Sequence, residues 1–181
     1  MNADPWLMAG AAALLVFWTL GAHNRLVSLR NAIISAWAQV DEPLGQRHAA
    51  IDALLAQSRL LLPDQQPILD AVAEAQAQVL AAADSLRPRP AMAPRAAALS
   101  GAEARLAPDL ARLLALLGQP VAPAGDDALP VQVSMLQDAD RRLVFARQLF
   151  NDAVRQYNEA AHQFPTRLLS RLFGFDAAGL L

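Results

Sequence analysis

Apolar positions in this chain fall into two arrangements: one unbroken run near the N-terminus, and a series of stretches in which they recur every three or four residues. The run is Pro5 to Ala22, 18 consecutive uncharged residues bounded by Asp4 on one side and by His23, Asn24 and Arg25 on the other. That length is at the short end of what a bilayer-spanning helix needs. Trp6 and Trp18 lie near its two ends, where aromatic rings favour the headgroup region. A cleaved signal peptide is the competing reading, because Leu20-Gly21-Ala22 loosely resembles a small-residue cleavage site. The first five residues carry Asp4 and no cation, unlike a secretory leader, and the helical pattern continues past Ala22; both features favour a retained anchor. Arg25 and Arg30 follow the run and no cation precedes it, so the positive-inside rule places the rest of the chain in the cytoplasm. Gly10, Ala11, Ala12, Ala13 and Gly21 are small enough for close contact with a second such helix, which makes a homo-oligomer a further expectation.

Beyond the run, Leu26, Ile33, Val40 and Leu54 interleave with Trp37, Leu44 and Ile51 at helical spacing, predicting a helix to about Leu62. Pro43 and Gly45 predict a kink or break within it, since proline removes a donor and clashes with the preceding turn. Pro63, Asp64 and Pro67 mark a turn, followed by a second seam of Ile68, Val72, Ala75, Val79, Ala82 and Leu86. Arg87 to Pro94 reads as a loop. A third helix carries Leu99, Ala102, Leu106, Leu110, Leu113 and Leu117, with Pro108 disruptive, and Gly118 to Pro130 is the longest expected connection.

The strongest periodicity comes last. Leu136, Leu143, Phe150, Tyr157 and Phe164 fall seven residues apart, with Ala139, Ala146, Ala153 and Ala160 between them. Large residues on one row and alanine on the other permit close, coiled-coil-like helix packing. Pro165 ends the pattern. The expected architecture is all-α: an N-terminal anchor over residues 1–24, an antiparallel up-and-down bundle of about four helices over 25–165, and a short amphipathic segment over 166–181. After four passes the chain returns toward the bilayer. The segment from Thr166 to Phe175 then either caps the open end of the bundle or lays its Leu and Phe side chains into the lipid interface.

Composition agrees with helix and narrows the chemistry. The chain has 40 Ala and 31 Leu among 181 residues. A formal net charge of −2 and 18% charged residues argue against a nucleic-acid binder. There is no Cys, and all 15 cations are Arg, so thiolate chemistry, Cys-ligated metals and a phosphate-loop lysine are excluded. His23, His48 and His162 lie in separate segments without metal-ligand spacing, and neither a Gly-rich phosphate loop nor a nucleophile elbow occurs. The expectation is therefore no enzyme, no cofactor and no metal. Polar residues do cluster on the first and last helices, Gln39, Asp41, Arg47 and His48 on one and Asn151, Asp152, Asn158 and Glu159 on the other. They are read either as solvated helix surface or buried hydrogen bonds that fix helix register, or as a ligand or partner contact between those helices. Asp140, Arg141 and Arg142 are read as surface ion pairs.

These residues also carry a resemblance. HNRLVSLRNAIISAWAQVDEPLGQRH over His23–His48, FARQLFNDAVRQYNEAAHQFP over Phe145–Pro165, and LFGF over Leu172–Phe175 resemble the LemA family of bacterial membrane-anchored helical proteins. The family's pattern of Asn-x-Leu-Val-x-Leu-Arg-Asn, Trp-x-Gln-Val-Asp, Ala-Arg-x-x-Tyr-Asn-x-x-Val-x-x-Tyr-Asn and Phe-Gly-Phe places Asn24, Arg30, Asn31, Trp37, Gln39, Asp41, Arg147, Asn151, Tyr157 and Asn158 at matching positions. With Arg47, these form the candidate polar cluster. The chain departs from the pattern at Phe150, where the family has Tyr, and over Arg47–Leu55. The resemblance implies a LemA-like bundle on a single-pass anchor in the bacterial cytoplasmic membrane. It also implies association with other membrane proteins, a zinc metalloprotease or a sensor among them. It supplies no reaction. Two functions follow: a membrane-tethered, non-enzymatic scaffold or interaction protein, or a small-ligand sensor with a pocket between the first and last helices.

Overall fold

The computed structural model describes residues 5–118, 128–163, 167 and 174–181. Four helices account for most of them: α1 (Pro5–Leu61), α2 (Gln66–Leu86), α3 (Ala93–Leu117) and α4 (Ala128–His162), with a single 3-10 turn at Pro63–Gln65 between α1 and α2. The architecture is the all-helical bundle expected from the periodicity.

Helix α1 has 57 residues, about 85 Å of continuous helix. Its N-terminal part is long and apolar enough to cross a membrane, and the side chains of that part, Trp6, Leu7, Met8, Leu14, Leu15, Val16 and Phe17 among them, are exposed. From Leu26 onward the same helix turns a buried stripe to the bundle through Ile33, Trp37, Val40, Leu44, Ile51 and Leu54. The expected break at Pro43 does not occur, and α1 runs through it. A proline deprives the carbonyl four residues earlier of its partner. That residue is Gln39, at an exposed position open to solvent, while Pro43 itself is buried. Pro108 is accommodated within α3 in the same way, four residues after exposed Ala104.

Helix α1 packs chiefly on α4, and α2 on α3; α1 also touches α2, which joins the two pairs. The alternating rows of α4 behave as expected. Leu136, Leu143, Phe150 and Tyr157 are buried, as are Ala139, Ala146 and Ala160, with Ala153 half-buried. Trp37 of α1 meets Phe150 edge to face, with ring centroids 6.2 Å apart. In α2 the seam lies one position later at two points than its spacing suggested: Leu69 and Ala83 are buried, whereas Ile68 and Ala82 are half-buried. The loop between α2 and α3 is shorter than expected, because Ala93 and Pro94 already open α3, where a proline needs no donor. Likewise Pro130 lies in the first turn of α4; residues 119–127 of the expected connection lie outside the described residues.

Of the expected amphipathic C-terminal segment, Thr166 and Leu168–Phe173 lie outside the described residues, as do Phe164 and Pro165 before it, and the choice between cap and lipid contact falls on the segment's undescribed part. The described end of the chain, residues 174–181, forms an extended strap against the bundle. Gly174 opens it with φ 67°, a left-handed conformation open to glycine. Phe175 packs its ring edge-on to His23 of α1 at 5.5 Å.

Candidate functional site

The strap is held by side chains of α4. Asn158 donates from Nδ2 to the carbonyl of Ala178 at 2.9 Å, and its Oδ1 accepts from the Ala178 N–H at 2.8 Å. Asn151 repeats the arrangement at Leu181, with Nδ2 to the carbonyl and the Leu181 N–H to Oδ1 both at 2.8 Å. Between them, Tyr157 donates its hydroxyl to the Asp176 carbonyl at 3.0 Å. A carboxamide matches a peptide group in donor and acceptor, so each asparagine replaces a strand partner for one residue of backbone.

Two repeats fit because two periods coincide. Seven residues of α-helix rise about 10.5 Å, and three residues of extended chain span about 10 Å; because a flat strand alternates its edges every residue, the chain also turns about its own axis between Ala178 and Leu181 so that both face α4. Asn151 and Asn158 are seven apart on α4, while Ala178 and Leu181 are three apart on the strap. The strap therefore runs antiparallel to α4. Its other edge makes an antiparallel bridge from Ala178 to Met92, immediately before α3. There the fit is tight: a Cβ on Gly179 would lie 2.5 Å from Ala93 Cα and 3.0 Å from its carbonyl oxygen. Only glycine permits that approach.

Arg47 and Arg147 form a second group, beside the Leu181 end of the strap. Arg47 of α1 approaches Asp140 of α4 with Nε 2.7 Å from Oδ1, an ion pair whose N–H is not aimed along the contact. Its Nη1 lies 3.6 Å from Glu103 Oε1 on α3, and Arg147 of α4 pairs with the other oxygen of Glu103. Two cations and two anions thus tie α1, α3 and α4 around a buried glutamate. Burial, and secondarily the charge of Arg47, lower the Arg147 pKa from its ordinary value. A cavity of about 380 Å³ opens at this network, bordered by Val144 and Leu181.

The other expected residues take separate places. Arg30 borders a cleft of about 400 Å³ with Arg89, Met92, Tyr157 and Asp176, at the Gly174 end of the strap. Burial is the main cause raising the Tyr157 pKa; the charge of Arg30 opposes the rise and that of Asp176 adds to it. Asp41 takes a bidentate grip from Arg87, with Nε and Nη2 at 2.9 and 2.8 Å, and so ties the end of α2 to α1. Those hydrogen bonds are the main cause raising the Arg87 pKa above its ordinary value. Trp37 belongs to the core, and Asn24, Asn31 and Gln39 occupy exposed positions on α1. Asp41, Arg47, Asn151 and Asn158 therefore do not meet at one point: the asparagines grip the strap, Arg47 joins the charge network, and Asp41 stands at the surface with Arg87.

Sequence reasoning missed Glu103, Gly179 and Gln76. Glu103 is a lone acid in an apolar helix stripe, and Gly179 lies in a tail with no periodicity. Gln76 is buried on α2 and donates to Asp52 Oδ1 at 2.9 Å and to the His48 carbonyl at 3.3 Å, tying α2 to α1. Asp140 and Arg141 form ion pairs as anticipated, Asp140 across helices with Arg47 and Arg141 with Asp138 on its own helix, while Arg142 donates to Gln46 Oε1 of α1 at 3.3 Å. Among the described residues there is no group of His, Asp and Glu arranged to hold a metal ion.

No curated protein matches the chain. The LemA family pattern matches residues 36–181, which takes in the α1 stripe from Ala36, both clamping asparagines and the strap. By that match, the chain belongs to the LemA family.

Proposed function

We propose that this protein is a membrane-anchored, non-enzymatic interaction protein whose bundle stands on the cytoplasmic face of a bacterial inner membrane. The observation that carries this reading is α1. One unbroken helix has exposed apolar side chains over its first turns and a buried stripe through the core, so no joint separates anchor from bundle. Contiguous exposed apolar surface of this extent needs a covering phase, and a bilayer covers a single helix on all sides. Arg25 and Arg30 favour the cytoplasmic orientation. The polar groups of the candidate site hold backbone or one another, which supports a binding role over a catalytic one. Partners of the chemistry implied by the resemblance, other membrane proteins such as a metalloprotease or a sensor, fit a platform held at fixed height above the bilayer.

Crosslinking in native membranes followed by partner identification tests this. A discrete membrane-protein partner is expected, and a chain recovered strictly alone contradicts the reading. A second reading rests on the cleft of about 400 Å³ between Arg30 of α1 and Tyr157 of α4, large enough for a small ligand. In that case a ligand would bind the purified chain without any protein partner, and Arg30→Ala would abolish its binding.

A further inference from the structure

We propose that the groove holding residues 174–181 is a peptide-binding site that also accepts the same segment from a second copy of this chain, producing a dimer by reciprocal exchange of straps. This rests on the reading of the chain as a membrane-anchored interaction protein.

The groove recognises backbone. Asn151, Asn158 and Tyr157 direct five hydrogen bonds to main-chain groups of Asp176, Ala178 and Leu181, and Met92 adds a strand-like bridge. Selection by side chain is tightest at two places, buried Ala178 and Gly179 against the backbone of Ala93, with half-buried Phe175 and Leu181 packed at the two ends of the strap. An extended segment with that small-residue and glycine pair fits, and a second copy brings one in the required register.

The strap supplies a minor share of the core. The bundle stripes on α1, α2, α3 and α4 form most of the apolar interior, while the strap adds buried Ala178 and half-buried Phe175 and Leu181, with Asp176, Ala177 and Leu180 exposed. Its departure uncovers those three contacts and leaves two carboxamides aimed at an empty track. Exposed backbone-pairing edges of this kind recruit another strand.

Geometry favours a second copy over an unrelated chain. Because α1 runs unbroken from its apolar N-terminal part into the bundle, every copy in one membrane carries its strap and groove at the same height and in the same direction. A two-fold axis along the membrane normal preserves both, so an exchanged strap still runs antiparallel to the receiving α4, and the assembly closes. Arg167 still donates its N–H to the Gln163 carbonyl at 2.9 Å, and the seven residue steps from Arg167 to Gly174 span at most about 25 Å, against the roughly 8–10 Å that separates packed helix axes.

The test uses the full chain in lipid nanodiscs or native membranes and exploits the absence of cysteine. A donor chain with a disabled groove, Asn151→Leu with Asn158→Leu, carries Leu180→Cys. An acceptor with a disabled strap, Gly179→Val, carries Arg155→Cys beside the groove. Neither can fill its own groove, so a short bismaleimide joins the two only when the donor strap enters the acceptor. Crosslinked dimer is expected in the mixture, falling at least tenfold when the donor also carries Gly179→Val. Equal crosslinking with and without that change means association through α1 alone; it overturns the exchange and leaves the interaction reading standing. A second pair, otherwise native and bearing only Leu180→Cys or Arg155→Cys, covers the case of a variant that fails to fold. Crosslinking there that is competed away by excess peptide of sequence FDAAGLL supports the exchange; no crosslinking in that pair overturns it.

Discussion

Replacing Glu103 by glutamine should destabilise the bundle by about 3–5 kcal/mol, the scale of removing one partner from a buried ion pair. For a chain of this length that is a fall in Tm of roughly 6–20 °C. Glu103 is 9% exposed and is the acid shared by Arg47 and Arg147. Glutamine keeps its size and one acceptor oxygen but removes its charge. Asp140 then remains for Arg47, whereas Arg147, whose cationic form burial already disfavours, is left without a carboxylate. The cost therefore comes from a stranded cation rather than from lost packing. Adding Arg147→Met to Glu103→Gln should recover more than about 1 kcal/mol, because it removes the charge that was stranded. Urea denaturation of the four members of the cycle measures this. Additive losses would show that the network does not act as a unit.

Phe150→Ala should cost about 3–5 kcal/mol by a different route, the cavity left by a large core side chain. Phe150 is fully buried, edge-on to Trp37, in the α1–α4 contact. Its near neighbour Phe145 is 62% exposed on α4, and Phe145→Ala should stay within about 0.5 kcal/mol of the parent. Thermal unfolding of the two variants in parallel checks the face assignment. Comparable losses at both positions would mean that Phe145 is covered in the assembled protein.

The helices were legible because burial imposes a period. Leu136, Leu143, Phe150 and Tyr157 face the core at a spacing that no loop sustains, and the same logic located α2 and α3 to within a few residues. Pro43 misled because its cost depends on whether the deprived carbonyl can reach water, which is a property of the folded surface around Gln39. Pro94 and Pro130 misled in the opposite sense. Each was read as loop, yet each sits in the first turn of a helix, where the missing N–H has no intrahelical acceptor to lose.

The candidate site was legible only in part. Asn151, Tyr157 and Asn158 stood out as polar or amphipathic residues on a helix with a strong apolar seam, but what they hold is a segment about twenty to thirty residues further on, in extended conformation and without periodicity. Nothing local in the sequence couples a seven-residue step on a helix to a three-residue step on a strap. The signal that could have found it was Gly179 beside Ala178, a pair small enough to lie against another backbone. Arg47 and Arg147 were recognised without Glu103, since a single acid in an apolar stripe shows its role only once three helices converge on it.

Amide hydrogen exchange at Ala178 and Leu181 in the full chain tests the clamp between α4 and residues 174–181 most directly. Both N–H groups donate to asparagine side chains, so they should exchange far more slowly than those of an unstructured tail. Asn158→Leu should speed exchange at Ala178 by at least tenfold while the core amides around Phe150 keep their protection. Rapid exchange at both positions in the parent chain, or protection at Ala178 unchanged by Asn158→Leu, would contradict the clamp.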